Sequence, residues 1–299
     1  MATIDENCAV WNTDHDWTQQ GEEWSEPWGG SESQWRWTLL PRISAFLPAA
    51  TILEIAPGFG RWTHYLKDLC DHLTVVDVSA RCIQACTERF VADSHISYYT
   101  NDGKSLAMIP EGSIELAFSV DSLVHAEADA LEAYLHGLAR TLTPDGVAFI
   151  HHSNLGAYRR YFSLTTRIPR MSLRKNLLVR AGLIDPDHWR GLSMSASLFA
   201  TYARNAGLQC IGQEIINWGR SRRMIDCFSL ATRPTSKWAR PNRVVQNPNF
   251  MREANYVSGL TRLYASTRSA EQPVRLPTAP YSSGTGIPAA QLASVRRER

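Results

Sequence analysis

Residues 52–62 read ILEIAPGFGRW. An apolar run leads into a Gly-x-Gly loop, and one carboxylate, Glu54, stands inside the run. The run reads as a buried strand over 51–55, and Gly58 and Gly60 as the turn into a helix over 61–69. Strand, glycine turn and helix in succession form the first unit of a parallel α/β sheet, with helix N-terminal amides open to a ligand. A charge in a buried strand needs a partner, so what Glu54 faces bears on what the loop is for.

The same rhythm continues outward from this unit. Strands are expected at 73–76, 96–99, 114–120 and 147–150, with helices at 79–90, capped by Ser79, and at 128–143. A helix at 198–206 follows, then strands at 210–216 and 224–231. The short link NWGRSRR between these last two suits a hairpin, so they pair antiparallel. The fold class is therefore α/β: a Rossmann-like, seven-stranded mixed sheet with a reversed edge strand and helices on both faces. Three segments lie outside this frame. Residues 1–37 hold six of the ten tryptophans and read as a lid. The core domain runs over 38–233, and 155–196 interrupts it as an inserted substrate or lid region. Residues 234–299 hold one helix near 252–265 and then a Ser/Thr/Pro/Gly-rich tail expected to be disordered.

The 299-residue chain is 44% hydrophobic and 20% charged, ordinary globular composition for one large domain or two small ones. A formal net charge of +2 gives no reason to expect a nucleic-acid partner. No apolar run reaches membrane-spanning length, and the acidic N-terminus lacks a signal-peptide core. The six cysteines form no framework and read as reduced residues, so a cytoplasmic location is expected. An oligomer is left open. Charge is uneven: residues 1–37 carry eight acids against Arg36, and 155–196 carry eight bases against two acids. The basic segment is expected to pair with the acidic one or to bind an anion.

The glycine loop narrows the ligand. No Gly-Lys-Ser/Thr follows, so it is not a phosphate-cradling P-loop. Thr63 stands where a dinucleotide fingerprint has its third glycine, and Glu54 would repel a pyrophosphate. Asp77, ending the second strand, suits a ribose diol, and Asp102-Gly103, ending the third, lies where an adenine edge would be. A nucleoside with a cationic tail and no phosphate describes S-adenosyl-L-methionine (SAM).

The successive stretches LEIAPGFGRW, VVDVS, NDG, IELAFSVDSLVHAE and LTPDGVAFIHHSN resemble the motifs of class I SAM-dependent methyltransferases, over roughly residues 30–232. WGGSESQW, FSVDSLVHAE and FIHHSNLG look like a bacterial group of sugar or small-molecule O-methyltransferases. The resemblance implies that Gly58 and Gly60 approach the methionine part of SAM, that Asp77 holds the ribose hydroxyls and that Asp102 holds the adenine amino group. Ala56, Trp62, Val78, Gly103, Ser119 and Asp121 complete the expected cofactor set. Glu54 is expected to face the glycine loop and the cationic side of the cofactor, against the alternative of a buried pair with Arg61.

Methyl transfer to a hydroxyl calls for a base, and histidine suits neutral pH. His125 follows the fourth strand at the edge that carries the glycine loop. His151 and His152 end the fifth strand there, and only one of two neighbours in a strand can aim at the cleft. His125 and His152 are therefore the expected catalytic residues. Trp28, Trp35, His151 and Asn154 are the expected substrate-binding residues. Asp121, His125 and Glu127 invite a divalent-metal reading, but Asp121 is assigned to the cofactor and no metal is expected. The expected activity is O-methylation of a sugar-containing or other small acceptor, with S-adenosyl-L-homocysteine (SAH) as product. The alternatives are an amine or peptide acceptor, a SAM-binding protein without catalysis, and an NAD-dependent oxidoreductase, against which Glu54 and Thr63 count.

Overall fold

The computed structural model describes residues 3–165, 173–181, 183–185, 188–218 and 223–264. The expected tail beyond 266 lies outside them, as do parts of the 155–196 insertion. One sheet organises the chain, in the strand order β3-β2-β1-β4-β5-β7-β6-β8. Its strands are β1 (Ala49–Ile55), β2 (Cys70–Asp77), β3 (Ile96–Thr100), β4 (Ile114–Ser119), β5 (Leu142–Ser153), β6 (Gln209–Ile216), β7 (Asp226–Thr232) and β8 (Arg243–Asn247). β1 to β5 are mutually parallel, and β7 runs antiparallel to both β5 and β6.

Two expectations are corrected. The sheet has eight strands rather than seven, because β8 adds in parallel beside β6. The reversed strand is not at the edge: the β6–β7 hairpin folds back so that β7 sits between β5 and β6. β8 escapes pattern reading because four of its five residues are exposed, so no alternation marks it.

Strand parity decides what each face buries. Leu53 and Ile55 join one core with Leu131, Leu135 and Leu138 of the helix Ala128–Thr141 and Phe199 of the helix Ala196–Asn205. Ile52 points the other way, into a core with Leu73, Phe118, Trp28, Trp35 and Phe250. Ser79 caps the helix Ala80–Arg89 as expected, its Oγ accepting the Cys82 amide at 3.1 Å. All six cysteines are unpaired. Among the described residues no helix is long and apolar enough to cross a membrane. The sheet belongs to the unit Met1–Leu260; of the second unit, Thr261–Arg299, only the last residues of the helix Glu253–Tyr264 are described.

Strand order reverses between β1 and β4. Such a switch point opens a crevice beyond the carboxyl ends of the strands, where α/β sheets bind ligands.

Candidate active site

A cavity of about 560 Å³ occupies that crevice. Its floor is made of the turns that leave successive strands: Ala56 and Gly58 after β1, Val78 after β2, Asp102 and Gly103 after β3, Asp121 and Ser122 after β4. The backbone is bent hard here. Ala56 and Asp121 both adopt left-handed φ, +59° and +67°, where a side chain costs energy. Ser122 Oγ joins the two turns by donating to the Ala56 carbonyl at 2.6 Å. Gly58 also has φ +59°, and a Cβ there would lie 2.8 Å from the Trp17 ring. Gly60 does something else. It does not line the cavity, and its Cβ would meet Phe90 at 2.5 Å, so this glycine lets the loop pack against the helix Ala80–Arg89.

Glu54 lies on the face of β1 away from Leu53 and Ile55, 1% exposed, and does not line the cavity. Its carboxylate accepts from Thr63 Oγ1 at 2.5 Å, so neither the loop amides nor Arg61 is its hydrogen-bond partner. Burial pushes its pKa from 4.5 up to about 8, only partly offset by the Thr63 hydroxyl. Asp77 does line the cavity. It accepts the Ser79 amide at 2.8 Å and the Gly58 amide at 3.3 Å, and burial raises it to about 6. Asp102 is held below the usual carboxylate range by the amides of Ser105 and Lys104.

The Asp121 carboxylate meets Arg61 at 2.6 Å and lies 3.2 Å from His151 Nδ1, which accepts the Asp121 backbone amide at 3.2 Å. Burial, the largest influence, would raise the carboxyl pKa, but Arg61 and His151 together outweigh burial and hold it low. His151 is fully buried between two carboxylates, its Nε2 lying 3.5 Å from Asp226. Burial works against its charge, but Asp121 and Asp226 together raise its pKa. Its neighbour His152 points through the sheet the opposite way and stacks on Phe199 at 4.6 Å. Both ring nitrogens are bonded, to the Ser153 carbonyl and to Ser229 Oγ, each at 2.8 Å, and burial lowers it to about 4. The expectation of His152 at the reacting centre is corrected: parity turns it away. Asn154 is a structural clip, donating to the Met224 carbonyl and accepting the Ala196 amide, both at 2.9 Å. Trp62 and Ser119 are buried and line no part of the cavity.

The roof comes from the N-terminal segment. Ile4 and Asn7, on or beside the helix Ile4–Ala9, and Trp11, Trp17 and Trp24 all line the cavity. Trp17 stacks flat on Phe59 of the glycine loop, centroids 4.4 Å apart. Trp28 and Trp35, the tryptophans expected at the substrate, are core residues instead. Trp28 packs on Trp218 and Phe250, and Trp35 stacks on Tyr65.

His125 lines the cavity, as expected from its place after β4. Its Nδ1 lies 2.6 Å from the Trp189 carbonyl oxygen. A carbonyl only accepts, so Nδ1 carries the proton and Nε2 is left as the acceptor nitrogen. The ring packs between Trp189 at 4.7 Å and Trp11 at 5.5 Å. Burial, with nearby Arg190, lowers its pKa to about 3, which favours the neutral ring near pH 7. Trp11, Trp17 and Trp24 fall in the segment expected as a lid without being singled out as site residues, and Ser122 and Trp189 escaped the sequence reading. The tryptophan richness of 1–37 was the available signal, but nothing local separates a roofing indole from a core one. Among the described residues no group of three or more His, Cys, Asp or Glu side chains is arranged to hold a metal ion.

Residues 52–146 match the family described as a methyltransferase domain. Nodulation protein S from Sinorhizobium fredii is 28% identical over 100 residues, 33% of this chain and 45% of that protein, so less than half of that relative is matched. Two solved structures share the fold. The N-methyltransferase NodS from Bradyrhizobium japonicum in complex with SAH has a TM-score of 0.51 at 18% identity, over 78% of this chain and all of that one (100%). A SAM-dependent methyltransferase from Leishmania major has a TM-score of 0.53 at 9% identity, over 77% of this chain and 82% of that one. A methyltransferase-domain match over 52–146, on a Rossmann-like α/β fold shared with these structures, supports a SAM-dependent methyltransferase. Its cofactor is S-adenosyl-L-methionine.

Proposed function

We propose that this protein methylates an amino group on a small-molecule acceptor. The observation that carries the reading is His125: a neutral imidazole at the cavity with its Nδ1 proton committed to a carbonyl. Bound SAM supplies an electrophilic methyl group. The chain supplies alignment, a dry cavity and a hydrogen-bond acceptor. An amine that arrives unprotonated needs only to be oriented, and Nε2 of His125 accepts its N–H and turns its lone pair toward the methyl. A hydroxyl would have to lose a proton, and an imidazole titrating near 3 is a poor base for that. The carboxylates of Asp5, Asp77, Asp102, Glu127 and Asp129 at the cavity, against Lys104, suit the sulfonium charge of SAM. That SAH-bound NodS, similar in fold, is an N-methyltransferase agrees with the amine reading.

The cofactor would lie along the strand ends, with Gly58 against its methionine part, Asp77 at the ribose, and Val78, Asp102 and Gly103 about the adenine. Residues 3–24 would cover it and exclude water. A second reading, a hydroxyl of a sugar-containing acceptor, is favoured by the three indoles of the roof, whose apolar surfaces suit sugar rings. The experiment is incubation with SAM and matched amine and hydroxyl acceptors, with the methylated product followed by mass. Methylation of hydroxyls alone would overturn the amine reading. Failure to bind SAH in calorimetry would overturn the methyl-transfer reading altogether.

A further inference from the structure

His125 owes its tautomer to a segment 64 residues further along the chain. The partner is the backbone carbonyl of Trp189, not its side chain, which is 39% exposed. Two contacts pin that stretch of backbone. The Gly191 amide donates to the Val124 carbonyl at 2.8 Å. The fit is so close that a Cβ on Gly191 would lie 2.1 Å from the Ala126 carbonyl oxygen. On the other side Arg190 grips Asp226 with two nitrogens, Nε at 3.0 Å from Oδ1 and Nη2 at 3.2 Å from Oδ2. Asp226 is fully buried at the start of β7, a rigid element, and its second neighbour is His151. A two-pronged guanidinium–carboxylate pair fixes direction as well as distance.

We propose that Arg190, anchored by Asp226, is a positioning residue that holds the Trp189 carbonyl on His125 Nδ1 and thereby keeps Nε2 as the acceptor nitrogen at the cavity. This rests on the reading of His125 as the group that orients the acceptor. Arg190 itself does not line the cavity and touches no reacting atom. Its Nη1 donates to the Trp189 carbonyl at 3.2 Å, so it acts on that oxygen directly as well as through the peptide unit between them. If the carbonyl swings away, His125 can take its proton on either nitrogen, and the tautomer with Nε2–H presents a donor where an acceptor is needed.

The test reads the tautomer directly and needs no acceptor molecule. Full-length protein with isotope-labelled histidine rings and added SAH is studied by NMR, the His125 signals being assigned by their loss in His125→Asn. Wild type and Trp189→Phe, which keeps the carbonyl, should show one tautomer with the proton on Nδ1. Arg190→Gln should lose that single tautomer, its ring nitrogens shifting toward a mixture, and Arg190→Lys should recover it in part. An unchanged tautomer in Arg190→Gln, or a proton on Nε2 in wild type, would overturn the proposal. If Arg190→Gln does not fold because Asp226 is left buried and unpaired, the double variant Arg190→Gln/Asp226→Asn supplies a neutral pair, and the same two outcomes decide. Failure of wild type to bind SAH would sink the methyl-transfer reading, whereas SAH bound with the tautomer indifferent to Arg190 would sink only the positioning role.

Discussion

The two walls of the cavity are built in different ways. The floor is backbone: turns after β1 to β4, bent through left-handed conformations at Ala56 and Gly58 after β1, Gly103 after β3 and Asp121 after β4. The roof is side chain: indoles from residues 3–24 and the imidazole of His125, with Trp189 packed behind them on Trp11 and His125. A floor of this kind is encoded locally and recognises whatever fits the turns. A roof of this kind depends on the whole fold, and it is where an acceptor would be chosen. The difference teaches that cofactor and acceptor sites in one cavity can rest on unlike foundations.

The largest effect tests where roof ends and core begins. Trp28→Ala, at a site 1% exposed, should cost about 3–5 kcal/mol in urea unfolding, the range for deleting a buried aromatic. Trp11→Ala should cost less than about 1 kcal/mol and act on turnover instead. Equal losses of stability would break the distinction between the two parts of the N-terminal segment.

Next comes the floor. Asp77→Ala should weaken SAH binding by about 1–3 kcal/mol, the scale for removing a partner from a polar group. Because the Asp77 carboxyl titrates near about 6, wild-type affinity should fall as pH drops through that value and the carboxylate becomes a neutral acid. Asp77→Asn should lack this fall. A fall that persists in the variant would move its origin elsewhere.

The roof should answer differently. His125→Asn should leave SAH affinity as it was and slow amine methylation by up to about tenfold, the loss of one hydrogen bond. With its pKa near about 3, His125 should add no limb to the activity profile in the neutral range. A limb that disappears with the mutation would mean that the imidazole takes a proton, and hydroxyl transfer would become the better reading.

The last test, read from its pH dependence, belongs to Glu54. Its folded pKa, about 8, lies above the ordinary 4.5, so between these values the folded protein holds a proton that the unfolded chain has released. Stability from this group is therefore present at low pH and lost as pH rises through that window. Glu54→Gln should melt like wild type in acid and at a higher temperature above the window. A variant that melts lower at every pH would show that the charge is wanted.

The floor was legible because period and punctuation are local signals. Alternating apolar runs, Ser79 as a cap and the glycine after β1 announce strands, turns and a helix within a few residues. What was not legible has physical reasons. The choice between His151 and His152 is a matter of strand parity, and β5 begins five residues before the expected 147, so a core count could not settle it. Gly60 and Gly58 look alike in sequence, yet only the fold puts Phe90 beside one and Trp17 beside the other. Trp17 and Trp28 are likewise alike until tertiary contacts sort them. Glu54 found the hydroxyl of Thr63, which the sequence reading had weighed only as a missing glycine.

The roof also has a place in time. Trp11 and Trp17 leave the ribosome ahead of every surface they finally touch outside their own segment. Phe59 comes first, then His125, and Trp189 much later. During synthesis the floor can form as each strand joins the sheet, while these indoles wait without a partner. The chemistry that would select the acceptor is thus assembled last from residues made first, and a nascent chain would have its cofactor groove before any acceptor preference.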